Sequence, residues 1–268
     1  MIAILQAIML GIIEGLTEFL PISSTGHLVV AERVLGYKDA AELFTVVVQL
    51  GAIAAILWYY RKDLIAKVQG LFNDKKVQRF WVNWIAATIP AGIAGVLFAD
   101  QLSKFATVKT VAISLILGGI LIWLIETYHQ PRPATEKPKL ESLTTMQAVQ
   151  VGCYQILSLI PGVSRSGATI MGGLLSGIDR VTATAFSFYL SMPILILASG
   201  YKLVKDGDKI SQVSGGSPAL IIGTIAAFVS ALIVVKWLLH FVARNNFKPF
   251  AYYRIGFGVL ILLVLLVR

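Results

Sequence analysis

Apolar residues run almost unbroken through 43–60, 81–99, 108–126, 183–204, 217–239 and 249–267. A hydrocarbon core about 30 Å thick takes roughly 20 apolar residues of helix, so these six stretches are predicted to cross a membrane. Regions 1–36 and 146–178 follow another pattern. Each holds two apolar segments of about 10–15 residues around a Pro/Ser/Gly-rich turn, too short for two crossings, and reads as a re-entrant helical hairpin that enters and leaves on one side. The apolar start Met1–Ile13 lacks the basic flank and small-residue cleavage pattern of a signal peptide and is expected to stay in the mature protein.

The two hairpin regions resemble each other. At an offset of 140 Pro21 falls on Pro161, at 141 Gly26 falls on Gly167 and Gly36 on Gly177, and at 142 Phe44 falls on Phe186. Residues 1–128 then form a first repeat (hairpin 1–36 and three spans), and 146–268 a second (hairpin 146–178 and three spans). An odd number of spans inverts the second repeat, so the predicted fold is an all-α polytopic membrane protein with an inverted-topology repeat, two re-entrant hairpins and six spanning helices. Segments 61–80, 129–145 and 236–248 carry twelve Lys or Arg against seven on the opposite side. The positive-inside rule makes 129–145 a cytoplasmic linker, with both termini outside.

Composition agrees with a membrane chain and adds little chemistry: 57% of the 268 residues are hydrophobic and 14% charged. The excess of nine positive charges reads as cytoplasmic loops and anionic headgroups, with no nucleic acid implied. Cys153 is expected to be a small buried thiol. His129–Glu141 reads as a solvated linker, Gly118 and Gly119 as a close-packing pair, and Pro90 and Pro193 as tolerated kinks.

Chemistry concentrates in the two turns. The first reads Glu14-Gly-Leu-Thr-Glu18-Phe-Leu-Pro21-Ile-Ser23-Ser24-Thr25-Gly26-His27. Glu14 and Glu18, four apart, share a helix face, and carboxylates at membrane depth point to metal binding or general-base work. Pro21 to Gly26 is expected to be a turn whose Gly26 opens a second helix, with Ser23, Ser24 and Thr25 either capping it or binding an anion. Ser24, His27 and water all remain candidate nucleophiles, with His27 alternatively a base. The second turn reads Pro161-Gly-Val-Ser164-Arg165-Ser166-Gly167-Ala-Thr169. Arg165 there suits either a phosphate clamp or a buried ion pair with Glu14 or Glu18.

These two motifs, about 140 residues apart, and the Phe-Lys-Pro-Phe-Ala-Tyr-Tyr-Arg254 lead into the last helix, resemble the bacitracin-resistance family of undecaprenyl-diphosphate phosphatases across essentially the whole chain. The resemblance implies catalytic roles for Glu14, Glu18, Ser24, His27 and Arg165 and phosphate contacts from Ser164, Arg165, Ser166 and Thr169; the two helix starts add Ser23, Thr25 and Gly167 as expected substrate contacts. It implies a divalent cation, Mg2+ or Ca2+, on Glu14 and Glu18. The implied activity hydrolyses undecaprenyl diphosphate to undecaprenyl phosphate and inorganic phosphate in the bacterial cytoplasmic (inner) membrane. That recycles the carrier for peptidoglycan synthesis and confers bacitracin resistance, with the site opening toward the outer face. The expected partners are the isoprenyl diphosphate lipid and membrane lipids, with room for a homodimer. A flippase or transporter for the lipid-phosphate carrier, built on the same repeat, is the alternative. Arg254 also belongs to the resemblance, although its place near a helix end suits snorkelling.

Overall fold

The computed structural model describes residues 2–39, 42–103, 107–128 and 138–267. Among the described residues the chain forms ten α-helices and no strand. They are α1 (Ile2–Thr17), α2 (Ser24–Leu35), α3 (Leu43–Gln69), α4 (Lys75–Ser103), α5 (Val108–Tyr128), α6 (Thr145–Gln155), α7 (Arg165–Leu175), α8 (Arg180–Asp206), α9 (Gly216–Val242) and α10 (Lys248–Val267). The six predicted spans all appear, in α3, α4, α5, α8, α9 and α10, and each is long and apolar enough to cross a membrane. The chain is a multi-pass membrane protein.

Several span ends lie further out than the apolar pattern places them. α3 continues through Arg61 and Lys62 to Gln69, so most of the expected loop 61–80 is helical and only 70–74 connects it to α4. Part of the extension is held by Lys67, buried against Asp63 at 3.1 Å one turn before it and against Glu141. Residues 129–137 of the expected linker lie outside the described residues. Its end is not simply solvated: Leu140 is buried and Glu141 is the partner of Lys67. A charge removed from water needs a counter-charge, and Glu141 supplies it.

Side-chain caps open several helices. Thr144 and Gln147 form a reciprocal capping box at the start of α6, and Asp179 accepts from the Val181 and Thr182 N–H groups to open α8. The chain leaves α2 through left-handed Gly36 (φ 65°) and passes Gly177 (φ 73°) after α7, a conformation glycine adopts at little steric cost. Pro90 and Pro193 sit inside α4 and α8, as expected.

Packing is made by small residues. A Cβ on Gly11 would lie 2.2 Å from the Gly223 carbonyl oxygen, and one on Gly15 2.3 Å from that of Ala227, so α1 rests directly on α9. Gly152 is placed the same way against Ala87, joining α6 to α4. Backbones that approach this closely gain dispersion contacts that larger residues would prevent. α8 is central, with Val181 through Met192 all buried. Large apolar side chains such as Ile85, Leu197, Val229 and Leu260 point outward, as a lipid-facing surface requires. Cys153 departs from expectation: it is exposed on the outside of α6, because the inner face is taken by Ala148, Val151, Gly152 and Gln155.

Candidate functional site

The site begins where α1 ends. Glu14 lies in its last turn, and the Glu18 N–H donates to the Glu14 carbonyl at 2.9 Å, so the helical turn continues to the second carboxylate. Both side chains are buried. The chain then turns through Pro21 to Ser23, whose φ of 71° is positive although it is not glycine. Its hydroxyl accepts from the Gly26 N–H at 3.4 Å, so α2 opens at Ser24 and not at Gly26 as expected.

The second turn repeats this construction. Ser164, with φ 78°, caps α7 by accepting from the Gly167 N–H at 3.1 Å. Non-glycine residues held at positive φ cost about 1–3 kcal/mol each and persist only where their surroundings demand it. Two serines at the same point of two hairpins, each followed by a chemically loaded helix start, are two of the three non-glycine residues at positive φ among the described residues.

The turns meet. Ser166 donates to the Leu20 carbonyl at 2.7 Å. Arg165 reaches Glu18 Oε1 at 2.9 Å through Nη2 and the Ser187 carbonyl of α8 at 2.9 Å through Nη1. The Arg165–Glu18 ion pair weighed from the sequence therefore exists, while Glu14 stands outside it. Thr169 donates to Ser187 Oγ at 2.7 Å, and the Arg165 guanidinium lies 5.8 Å from the centre of the Phe19 ring. Ser24 Oγ donates to Glu18 Oε2. One carboxylate thus takes the Ser24 hydroxyl on one oxygen and the Arg165 guanidinium on the other.

His27 faces elsewhere. Its Nδ1 is 2.7 Å from the Ser23 carbonyl oxygen and its Nε2 is 2.7 Å from the Tyr253 hydroxyl, so neither ring nitrogen is directed to Ser24. Thr25 is exposed, apart from the buried network. Gly167 leaves little room for a side chain, since a Cβ would meet Arg254 Nη1 at 3.1 Å. Ser164, Ser166 and Thr169 are buried, with their hydroxyls used in caps and cross-links between elements.

Arg254 overturns its sequence reading. It is 1% exposed, and all five guanidinium N–H donors reach backbone carbonyls. Nη1 donates to Pro21 at 3.1 Å and Val163 at 2.9 Å. Nη2 donates to Gly162 and Ser114, both at 3.1 Å, and Nε to Leu115 at 3.3 Å. This side chain pins both turns to α5, and Gly118 leaves space for it: a Cβ there would sit 2.2 Å from Nη2. Snorkelling fails because turns rich in proline and glycine expose carbonyls with no helical partner, and those carbonyls draw the cation inward. Arg254 had two available signals, its place in the motif that carries the resemblance and a charge inside a largely apolar helix. Ser187 had none, as a serine in an apolar stretch.

Two groups in the site lack partners. Both oxygens of Glu14 and the Nε of Arg165 are buried without a hydrogen bond. A buried carboxylate left without a donor is costly, which fits a cation held between Glu14 and Glu18. Among the described residues no group of three His, Cys, Asp or Glu gathers. A cation there would draw its remaining ligands from water and phosphate, the usual arrangement for Mg2+.

A family model described as bacitracin resistance protein BacA matches residues 7–260. Undecaprenyl-diphosphatase 1 of Burkholderia ambifaria is 46% identical over 267 residues, covering 98% of this chain and 96% of that protein. Undecaprenyl-diphosphatase 1 of Paraburkholderia xenovorans is 47% identical over 264 residues, covering 97% and 94%. Undecaprenyl-diphosphatase of Neisseria gonorrhoeae is 42% identical over 262 residues, covering 97% and 95%.

Proposed function

Because the chain belongs to the bacitracin resistance protein BacA family, we propose that it hydrolyses undecaprenyl diphosphate to undecaprenyl phosphate and inorganic phosphate. It thereby returns the lipid carrier to peptidoglycan synthesis and confers bacitracin resistance. The observation that carries the reading is the Ser24–Glu18–Arg165 chain. A hydroxyl on a carboxylate, with a guanidinium on the same carboxylate, is a nucleophile, its base and an anion clamp in contact. A flippase has use for the guanidinium but little for a serine poised on a carboxylate.

In this mechanism Ser24 Oγ attacks the terminal phosphorus and Glu18 Oε2 takes its proton. The bond from that phosphorus to the bridging oxygen breaks, and the electron pair leaves with undecaprenyl phosphate. That group is already a good leaving group and needs no acid. Water then attacks the phosphoserine, the water protons stay with inorganic phosphate, and Glu18 returns its proton to Ser24. Arg165 orients the terminal phosphate, and Ser187 and Thr169 hold Arg165 in place. Ser23, Ser164, Ser166 and Gly167 shape the two turns around the phosphates, with Thr25 at their edge. Glu14 and Glu18 would hold a divalent cation, Mg2+ or Ca2+, which when bound supplies charge neutralisation to the diphosphate.

The test is phosphate release by the purified protein from an isoprenyl diphosphate. Release should fall at least tenfold in chelator and return with Mg2+. No release under any condition contradicts the hydrolase, and undiminished release in chelator contradicts the cation.

The inverted repeat, with α1–α5 as one unit and α6–α10 as the other, belongs to the same reading. α1 and α2 have 16 and 12 residues and α6 and α7 have 11 each. At 1.5 Å per residue these are about 16–24 Å long, short of the roughly 30 Å hydrocarbon core, as re-entrant segments would be. Contacts also pair by repeat: α1 on α9 is matched by α6 on α4, α1 on α2 by α6 on α7, while α3 meets α8 and α5 meets α10. The protein then sits in the bacterial cytoplasmic membrane with 70–74 and 138–144 inside and the site opening outward. In a Cys153→Ser background, cysteines replacing the exposed Phe72 and Ser142 should react with an impermeant thiol reagent only from the cytoplasmic face. Labelling of either on intact cells contradicts this orientation.

A further inference from the structure

His27 and Tyr253 are 226 residues apart in the chain, and their side chains meet at hydrogen-bond distance. The protonation of this pair can be read from its neighbours. A backbone carbonyl can only accept, so the His27 Nδ1 that lies 2.7 Å from the Ser23 oxygen carries a proton. In the neutral ring Nε2 then has a lone pair, and the Tyr253 hydroxyl at 2.7 Å donates to it. The ring is also stacked on Phe257, at 4.5 Å between centroids, and lies nearly parallel to Tyr253, at 5.6 Å. α10 supplies both aromatic residues one turn apart, and the adjacent Arg254 fixes that part of α10 to the two turns.

The carbonyl that His27 grips is the one preceding Ser24. It receives Nδ1–H and also the His27 backbone N–H at 3.3 Å. A peptide unit is rigid and planar, so fixing the Ser23 carbonyl fixes the orientation of the Ser24 N–H and the direction in which Ser24 leaves the peptide. Ser23 itself is held at φ 71°, which it would tend to relieve if the carbonyl were released.

We propose that Tyr253 is a positioning residue for the phosphatase reaction. It holds His27 as the Nδ1–H tautomer, and His27 in turn locks the Ser23–Ser24 peptide so that the Ser24 hydroxyl stays on Glu18. His27 accordingly serves as a hydrogen-bond donor to the turn, and neither as nucleophile nor as base. This rests on the hydrolase reading for its effect on turnover, while the tautomer itself does not depend on it.

The experiment uses full-length protein labelled with 15N at histidine. The chain has three histidines, and the His27 signals are the ones lost in His27→Asn. Protonated and unprotonated ring nitrogens resonate far apart, so the tautomer is read directly. The wild-type protein should show protonated Nδ1 and unprotonated Nε2 at His27. Tyr253→Phe keeps the ring and removes the hydroxyl; it should give a mixture of both tautomers and about a tenfold loss of kcat with KM within twofold. His27→Asn supplies an amide N–H in place of Nδ1–H but no base and no nucleophile. It should keep at least ten times the turnover of His27→Ala. A wild-type Nε2–H tautomer, an unchanged spectrum in Tyr253→Phe, or His27→Asn as inactive as His27→Ala each overturns the proposal. If the wild-type protein releases no phosphate, the hydrolase reading fails and the spectra still decide the tautomer.

Discussion

Arg165→Lys is expected to lower phosphate release by at least about 100-fold while leaving the protein folded. The guanidinium holds the Glu18 carboxylate and the Ser187 carbonyl at once, each at 2.9 Å, through different nitrogens. An ammonium keeps the charge but not the planar fork that matches two oxygens of a phosphate. Loss of one well-placed donor to a developing anion costs roughly 100- to 1000-fold in rate. Turnover and the melting midpoint, measured together on the purified protein, separate the two roles. Near-normal turnover with an unchanged midpoint would make Arg165 a structural ion-pair partner of Glu18.

Replacement of Arg254 is expected to have the largest effect on stability. Arg254→Met keeps the length and apolar stem but leaves the Pro21, Gly162, Val163, Ser114 and Leu115 carbonyls without their donor. Each buried polar group left unpaired costs about 1–3 kcal/mol. Even with incomplete additivity, the loss is a large share of the roughly 5–15 kcal/mol that holds a typical protein folded. The variant should fail to accumulate as folded protein. Arg254→Lys, with three donors for five carbonyls, should fold and melt roughly 10 °C or more below wild type, at about 2–4 °C per kcal/mol. If Arg254→Met melts within about 2 °C of wild type, the turns do not depend on this side chain.

Much of this arrangement is legible in the sequence. Apolar length alone located the six long helices, because a membrane imposes one spacing on every span. The positions of Pro21 and Pro161, with serine-rich stretches after them, located both turns, and the choice of Glu18 or Glu14 for Arg165 was reduced to two. What escaped the sequence was long-range or backbone-borne. Arg254 near the end of an apolar helix looks the same whether it reaches outward to headgroups or inward to carbonyls, and only the packing of α5 and the two turns decides. Ser187 contributes chiefly its carbonyl to Arg165, which carries no side-chain signature. The positive φ of Ser23 and Ser164 is a conformation that serine seldom adopts, so its sequence gives no warning. Glu141 looked like one of several charges in a polar linker, and its role appears only where α3 brings Lys67 to it.

In the proposed mechanism Ser24, held on Glu18, receives the phosphoryl group before water does. A diphosphate substrate carrying a radioactive terminal phosphorus, mixed with excess protein and quenched within a single turnover, tests it directly. Transient labelled protein is expected, with the label stable to acid, located on Ser24 and absent in Ser24→Ala. Acid-labile label on His27, or full release of labelled phosphate with no labelled protein at any time, would contradict it.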